Sequence, residues 1–273
     1  MGRRRTTHLT DSVSFDRAAD YYDRTRALPE PLMGLLVPAL LAEIPKGGLC
    51  LEIGIGTGRI ALPLVRAGVA IAGVDISREM LRRLVIKAGS SRLQIAVADA
   101  TRLPFRDHSF ASAIAAHVFH LIPNWAIAVE ELLRVVRPGG TILASRGGGG
   151  TAGGWGRKVS RHFFIEAGDP TWPPGIDRIE ELDAHMRTRD AGVRALPALS
   201  VEGSASINEI ISNLEAGYFS GCWSLDEPTR KQAGAKTREW AHEEFGDLDE
   251  ARRTSETSVW HAYTVPIGHH SGK

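Results

Sequence analysis

Residues 51–58, with the sequence LEIGIGTG, decide the fold of this chain. An apolar run ends at Ile53, and Gly54, Gly56 and Gly58 follow it in the spacing G-x-G-x-G. The apolar run is typical of a short buried strand, and glycines let a backbone turn sharply and let a ligand lie directly on it. The helix start behind such a turn offers free N–H donors to an anionic group. The stretch therefore predicts a strand, a ligand-binding turn and a helix.

The spacing of these glycines argues against two common nucleotide sites. In NAD-binding domains the fingerprint is G-x-G-x-x-G, but here the third glycine comes one residue early and Arg59 occupies the position of the last glycine. Glu52, two residues before the first glycine, is also unusual for a dinucleotide site. No Gly-Lys-Ser/Thr follows the turn, so it is not the P-loop of a nucleoside triphosphatase.

Strand and helix patterns alternate along the chain after this turn. The strand candidates are VAIAGVDI at 69–76, LQIAVAD at 93–99, a fourth strand within 110–122, and TILASR at 141–146. Helical patterns separate them, and strands that alternate with helices of about 10–15 residues indicate a parallel sheet with right-handed crossovers. We therefore predict an α/β fold.

Composition and pattern divide the 273 residues into four parts. We predict a disordered tail at 1–14, a helical cap at 15–47, a core domain at 48–146, and a C-terminal part at 147–273. The last part opens with the glycine-rich connector GGGGTAGGWG and has two strand candidates, near 195–203 and 257–266. Between them, residues 206–256 form helical stretches long enough to cover a pocket.

Net charge and cysteine content narrow the classes of function. The 33 Lys+Arg against 32 Asp+Glu give a net charge of +1, which supplies no strong footprint for nucleic acid or an anionic membrane. Cys50 and Cys222 cannot make a disulfide framework or a four-cysteine zinc site. No apolar run approaches the roughly 20 residues that span a bilayer. We expect a cytoplasmic protein with no metal site, no membrane partner and no nucleic-acid partner.

Acidic residues lie at the carboxyl ends of three consecutive strands, namely Glu52, Asp75 and Asp99. Because parallel strands end at one edge of a sheet, these side chains are expected to face one crevice. Asp75 can accept both hydroxyls of a ribose. Asp99 can accept from an adenine amine, with the N–H of Ala100 available for a ring nitrogen. The alternative is that the aspartates only cap helices and form turns.

Together these segments resemble a known family. LEIGIGTG, GVDIS, VADATRLPFRDHSFASAIAAHVFHLIPN and LLRVVRPGGTILAS are similar to the successive motifs of class I S-adenosylmethionine-dependent methyltransferases. Within this family, the motifs most resemble those of the small-molecule branch that includes the ubiquinone/menaquinone-biosynthesis methyltransferases. The resemblance implies a Rossmann-like, mostly parallel sheet of seven strands in the order 3-2-1-4-5-7-6, with strand 7 antiparallel, plus helical N-terminal and C-terminal lid segments. It also implies S-adenosylmethionine as cofactor and S-adenosylhomocysteine as its product.

The resemblance assigns roles to individual residues. Glu52 and the turn glycines match the motif that holds the methionine part of the cofactor, and Ile76 matches the position beside the adenine. In the N-terminal part, Tyr21-Tyr22 and Arg26 resemble a segment that closes over the cofactor, where Arg26 would pair with the cofactor carboxylate. The cofactor-binding residues implied in this way are Tyr21, Arg26, Glu52, Gly54, Gly56, Gly58, Asp75, Ile76, Asp99, Ala100 and His117.

Methyl transfer needs an acceptor held in line, and a base only when the nucleophile must lose a proton early. His117 and His120 are the candidate bases, since histidine titrates near neutrality. The alternative is that both are packed histidines at a strand end. The chain lacks the Asn/Asp-Pro-Pro-Tyr/Phe run of amide and adenine amino methylation, and it lacks paired catalytic cysteines.

We therefore predict a methyltransferase that acts on an oxygen, nitrogen or carbon atom of a small organic acceptor, with residues 206–256 selecting that acceptor through Tyr218, Phe219 or Trp223. The alternative for these aromatics is a small lid core. Two other functions stay open, a tRNA or rRNA methyltransferase and a non-catalytic S-adenosylmethionine-binding protein. RNA binding would use a basic patch of Arg78, Arg82, Arg83, Lys87 and Arg92. The acceptor and the oligomeric state are not predicted.

Overall fold

The computed structural model describes residues 12–89, 93–146, 153–168 and 174–267. Most of the tail predicted at 1–14 and the first six residues of the glycine-rich connector, 147–152, lie outside these ranges. Within them, no helix combines the length and the apolar character needed to cross a membrane.

Nine strands are described, and seven of them form the main sheet. In chain order the strands are β1 (Cys50–Ile53), β2 (Ile71–Asp75), β3 (Gln94–Val97), β4 (Phe110–Ala116), β5 (Val136–Ser145), β6 (Gly192–Ala195), β7 (Leu199–Ala205), β8 (Arg252–Ser258) and β9 (His261–Thr264). The order in the main sheet is β3-β2-β1-β4-β5-β9-β6, and β9 runs antiparallel to both of its neighbours. This confirms the predicted order, with β6 and β9 as the sixth and seventh strands.

Helices cover both faces of the main sheet. They are α1 (Tyr22–Arg26), α2 (Glu30–Glu43), α3 (Ala61–Arg66), α4 (Arg78–Ala88), α5 (Trp125–Val135), α6 (Gly153–Glu166), α7 (Ile179–Arg187), α8 (Ile207–Glu215) and α9 (Glu227–Phe245). Every residue of β1 and β4 is buried. Strands buried on both faces have continuous apolar sequences, which explains why both could be recognised from the sequence.

The two C-terminal strand candidates are each divided in the structure. The candidate at 195–203 becomes β6 and β7, with Pro197 between them. Proline has no N–H to donate to a ladder, so the pairing of β6 with β9 does not continue past Pro197. The candidate at 257–266 becomes β8 and β9, and β8 pairs only with β7 in a separate two-stranded ribbon. The prediction of one continuous strand at each place was wrong.

The segment between β7 and β8 forms a helical insertion, which we define as residues 206–251. Its helices α8 and α9 pack against α6, and Phe163 of α6 lies in one small core with Leu214 and Cys222. A second core joins Val159 of α6 to Ile207 and Ile211. Because α6 begins at Gly153, the glycine-rich connector is shorter than its composition predicts.

The N-terminal segment, residues 12–26, is less helical than predicted. At the start of the helical cap predicted at 15–47, the structure has only a short 3-10 turn at Asp16–Ala18 and the five-residue helix α1. Its contacts, described below, are made mainly by side chains with distant parts of the chain.

Candidate functional site

A cavity of about 250 Å³ opens at the carboxyl edge of the main sheet. Its wall is built from the turn after β1, the ends of β2 to β5, the N-terminal segment, and Ser220 of the helical insertion. The predicted site residues that line it are Arg26, Gly54, Gly56, Asp75, Ile76, Asp99, Ala100, His117 and His120. The edge predicted from the strand order therefore carries the site, as expected for open α/β sheets.

The glycines of the turn have separate tasks. Gly54 has a φ of +64°, and a Cβ there would lie 2.6 Å from Cγ2 of Val118. A side chain at this position would fill the cradle that the turn forms beside the cavity. Gly58 does not line the cavity, and a Cβ there would lie 2.4 Å from Cδ1 of Leu84 on α4. Gly58 thus permits helix packing, and the two earlier glycines permit close approach to the backbone.

Asp75 lines the cavity and also binds two backbone groups at this edge of the sheet. Its Oδ2 accepts from the N–H of Gly56 at 2.8 Å and its Oδ1 from the N–H of Ser77 at 2.8 Å. Burial raises the pKa of this carboxyl, although the two backbone donors oppose that shift. In the structure Asp75 is half-buried and ties the glycine turn to the start of α4, so truncation costs stability too.

Asp99 follows β3 and closes a local turn. Its Oδ1 accepts from the N–H of Thr101 at 2.9 Å and from the hydroxyl of Thr101 at 2.8 Å. Asp99 therefore does form a turn, which was the alternative to ligand binding considered from the sequence. It does not compete with a ligand role, since Asp99 also lines the cavity and a carboxylate has about four lone-pair sites.

Glu52 lies within β1 and is 2% exposed. Burial raises the pKa of its carboxyl to about 8, with the charge of Arg59 opposing the shift. Among the residues that the structure describes, its Oε2 has no hydrogen-bond partner. Glu52 lines a small cavity of about 20 Å³ together with Tyr22, Gly54 and Arg59 rather than the main one. With its raised pKa the carboxyl is mostly protonated at pH 7 in the free protein, and a cationic group placed beside it would favour the ionised form.

His117 and His120 lie at the end of β4, where the main chain leaves the sheet. His117 has a φ of +56° and donates its N–H to the carbonyl of Ser145 at 2.7 Å. Burial and nearby arginine charges hold the pKa of His117 well below its usual value and lower the pKa of His120 to about 4. Both imidazoles are therefore neutral at pH 7. The expectation of bases that titrate near neutrality is wrong for this state of the site.

Ion pairs hold the N-terminal segment over the edge of the sheet. Asp16 accepts from the hydroxyl of Ser77 at 2.6 Å and from the N–H of Glu79 at 3.1 Å, at the start of α4. Further along α4, Arg83 pairs with Asp20 and Lys87 pairs with Asp23 at 2.9 Å. Arg83 and Lys87, two members of the basic patch considered for RNA binding, thus form ion pairs within the chain.

The helical insertion contacts the N-terminal segment through aromatic rings. The rings of Phe15 and Trp223 are 4.7 Å apart, and those of Tyr21 and Tyr218 are 5.2 Å apart. Tyr21 therefore packs against the insertion, and Tyr22 lines the cavity in its place. Of the segment 206–256, only Ser220 lines the cavity among the described residues. Tyr218, Phe219 and Trp223, which were predicted to contact the acceptor, do not line the cavity in this structure.

Several cavity residues were missed by sequence reasoning. The missed residues include Ser12, Val13, Phe15, Arg59, Met80, Ile122, Arg146 and Ser220. For Arg146 a signal was present, because it directly follows the strand TILAS at the same edge as the predicted acids. Phe15 and Ser220 carry no motif, and their places depend on contacts between distant segments.

The fold and the glycine-lined edge define a Rossmann-like domain for a nucleotide-type cofactor. Residues 51–144 match the family model of a methyltransferase domain. This part of the chain is therefore a class I S-adenosylmethionine-dependent methyltransferase domain.

Individual relatives agree with this class. A demethylmenaquinone methyltransferase of Clavibacter sepedonicus is 33% identical over 140 residues, 48% of this chain and 56% of the relative. A phosphatidylethanolamine N-methyltransferase of Cereibacter sphaeroides is 36% identical over 102 residues, 36% of this chain and 50% of the relative. The chain spans about half the length of the curated relatives it matches.

A solved structure resembles nearly all of the described fold. The YcgJ protein of Bacillus subtilis superposes with a TM-score of 0.60 at 18% identity, over 87% of this chain and 99% of that one. At this identity the likeness concerns the fold.

Proposed function

We propose that this chain is an S-adenosylmethionine-dependent methyltransferase that transfers a methyl group to an oxygen, nitrogen or carbon atom of a small organic acceptor. The observation that carries the proposal is one continuous edge. There, Gly54, Gly56, Asp75 and Asp99 line a cavity that continues to His117 and His120, and Glu52 lines a small cavity beside the same glycine turn. A cytoplasmic location belongs to the same proposal.

The residues present fit the cofactor that this class of domain uses. Asp75 and Asp99 line the cavity with carboxylates that can accept from ribose hydroxyls and an adenine amine. The buried Oε2 of Glu52 is without a partner among the described residues and can accept from a cationic group once the carboxyl is ionised. Arg26 lines the same cavity and is assigned to the cofactor carboxylate. Gly54 and Gly56 leave room beside the backbone that a side chain would occupy.

When bound, S-adenosylmethionine supplies a methyl group on a sulfonium, which is already an activated electrophile. The chain contributes orientation and exclusion of water, and orientation alone can supply about 7–11 kcal/mol. The N-terminal segment and Ser220 form part of the cavity wall, so a bound cofactor and acceptor would leave little room there for water. His117 and His120, neutral at pH 7, can accept a proton or donate one N–H, but a pKa of about 4 makes His120 a weak base. The site thus favours an acceptor that needs little help from a base.

Calorimetry and turnover test this proposal. We expect the protein to bind S-adenosylmethionine and S-adenosylhomocysteine and not NAD, and to label small molecules of a metabolite extract from methyl-labelled cofactor. Micromolar binding of NAD without a response to S-adenosylmethionine would contradict the proposal. Labelled RNA would support the tRNA or rRNA alternative, and binding without turnover would support a non-catalytic role.

A further inference from the structure

Charge is distributed unevenly along the carboxyl edge of the main sheet. The acids Glu52, Asp75 and Asp99 lie at β1, β2 and β3, whereas His117 and Arg146 follow β4 and β5. Ala116 and Ser145 are paired neighbours in these last two strands, so His117 and Arg146 leave the sheet side by side. Neighbouring strands are about 4.8 Å apart, which puts Arg146 about 14 Å from Asp75 along the edge. The end of the cavity away from the acids is therefore basic.

Arg146 has unused hydrogen-bonding capacity at this basic end. It lines the cavity, and its Nε is buried without a hydrogen-bond partner among the described residues. Its terminal nitrogen lies 3.5 Å from a carboxylate oxygen of Asp177, whose side chain is 74% exposed. An exposed counter-ion at that distance contributes at most about 1 kcal/mol. A buried guanidinium donor without an acceptor is costly, which favours a ligand group at this place.

The other two arginines of the cavity have partners that account for them. Arg59 donates to the carbonyl of Arg26 at 2.8 Å, and its charge acts on the buried Glu52. Arg26 donates to the carbonyl of Tyr218 at 3.3 Å and lies 4.3 Å from the ring centre of Phe219. Arg26 is also the residue assigned to the cofactor carboxylate. Arg146 is left as the cation for a second ligand.

His120 belongs to the same end. Its Nδ1 is buried without a hydrogen-bond partner among the described residues, and the charges of Arg146 and Arg26 both lower the pKa of its ring. The ring therefore lies within electrostatic range of Arg146. A neutral imidazole can still donate one N–H, so Arg146 and His120 together offer donors to one acceptor group.

We propose that the methyl acceptor carries an oxyanion, either a carboxylate or a phosphate, and that Arg146 binds it with help from an N–H of His120. A planar guanidinium fork matches both groups in a bidentate geometry. This inference rests on the proposed function and narrows its acceptor class. Arg146 acts here as a specificity-determining residue of the acceptor end.

The test starts from a metabolite extract that is separated on an anion exchanger at about pH 8, where carboxylates and phosphates are both ionised, into retained and unretained fractions. The full chain is incubated with methyl-labelled S-adenosylmethionine and each fraction. We expect label to enter the retained fraction. Prior treatment of that fraction with phosphatase separates the two oxyanions, since it removes the activity only when the acceptor is a phosphate monoester.

Variants then test the residue. Arg146→Met should lower turnover of the retained fraction about 10- to 100-fold at low substrate, the loss of one or two charged hydrogen bonds, and should act mainly through KM. Affinity for S-adenosylhomocysteine should stay within about 3-fold, since a change below 1 kcal/mol is expected where no contact is lost. Arg146→Lys should restore part of the turnover, and Arg137→Met, at the opposite end of β5, should change nothing.

Each outcome decides a different claim. Label that enters only the unretained fraction would overturn the oxyanion and leave the methyltransferase in place. Equal losses of cofactor affinity and turnover in Arg146→Met would place Arg146 on the cofactor and also overturn the inference. Cofactor binding with no label in either fraction would count against the proposed function, and the inference would fall with it.

Discussion

The floor and the cover of the cavity are held in different ways. The floor is formed by the carboxyl ends of β1 to β5, where backbone groups fix the side chains, as the N–H groups of Gly56 and Ser77 fix Asp75. The cover consists of the N-terminal segment and the insertion. The insertion packs on α6 through buried cores, whereas the N-terminal segment is held mainly by ion pairs, hydrogen bonds and ring contacts. Side-chain contacts near the surface are weak and break easily. The comparison teaches that the floor is fixed by its own backbone, and we predict that the cover opens for ligand exchange.

The strongest test of the floor is Asp75→Ala. We expect cofactor affinity to fall about 10- to 100-fold through the loss of one or two charged hydrogen bonds. The protein should also unfold more easily, because the N–H groups of Gly56 and Ser77 lose their acceptors. Calorimetry and melting curves measure the two effects. Asp107→Ala, whose partner Arg134 keeps Glu131, is the matched control. Unchanged affinity in a folded Asp75 variant would mean that the floor does not bind the ribose.

Glu52→Gln separates binding from stability in the same floor. The folded-state pKa of about 8 lies above the ordinary value of 4.5, so the free energy of unfolding of the wild type falls as pH rises between these values. The substituted amide has no proton to lose. The variant should therefore melt higher than the wild type at about pH 8.5 and nearly equal to it at about pH 5. Cofactor affinity should fall about 10-fold at about pH 8.

Melting curves across this pH range, with cofactor titrations at each end, check both parts. A melting difference that is the same at both ends of the range would show that Glu52 does not titrate in this window. Lower stability of the variant at every pH would show that the carboxylate has a partner in the free protein.

Trp223→Ala tests the cover. The substitution removes the ring that contacts Phe15, whereas the backbone carbonyl at this position can still accept from Arg17. We expect cofactor affinity to change by a few-fold at most, release of S-adenosylhomocysteine to become faster, and acceptor turnover to fall. Stopped-flow release and melting curves must be read together, since truncating a well-buried aromatic costs about 3–5 kcal/mol. Equal losses of stability, affinity and turnover would make the insertion part of the structural core.

Lys87→Met should have the smallest effect. The pair with Asp23 is exposed by 36% and 47% at its two side chains, and such pairs contribute about 0.2–1 kcal/mol. The melting temperature should change by only a few degrees, and the release rate of the product should rise less than in Trp223→Ala. A larger change in release than in Trp223→Ala would mean that charge, rather than ring packing, keeps the cover closed.

Sequence reasoning named individual residues of the floor, whereas for the cover it gave the two segments and not the contacts between them. The glycine turn and the acids of β1 to β3 are local patterns, because each residue's place follows from its own strand, whereas the strand order was implied by the resemblance to class I methyltransferases. Phe15 and Trp223 are far apart in the chain, and no local pattern joins them. Pro197 shows a similar limit. A proline in the sequence indicates that a strand is interrupted, but it does not indicate that β7 then pairs with β8. The neutral state of the histidines arises from burial and charges that only the folded chain assembles.

The ribbon of β7 and β8 has a consequence for engineering. Ala205 is paired with Arg252, so the chain enters and leaves the helical insertion at adjacent points. A segment whose ends meet can be exchanged as a cassette without disturbing the seven-stranded sheet. Any replacement must still cover Val159 and Phe163 of α6, which are fully buried against the present insertion. Grafts between the two ribbon strands would therefore show whether the insertion takes part in acceptor selection while the cofactor site stays unchanged.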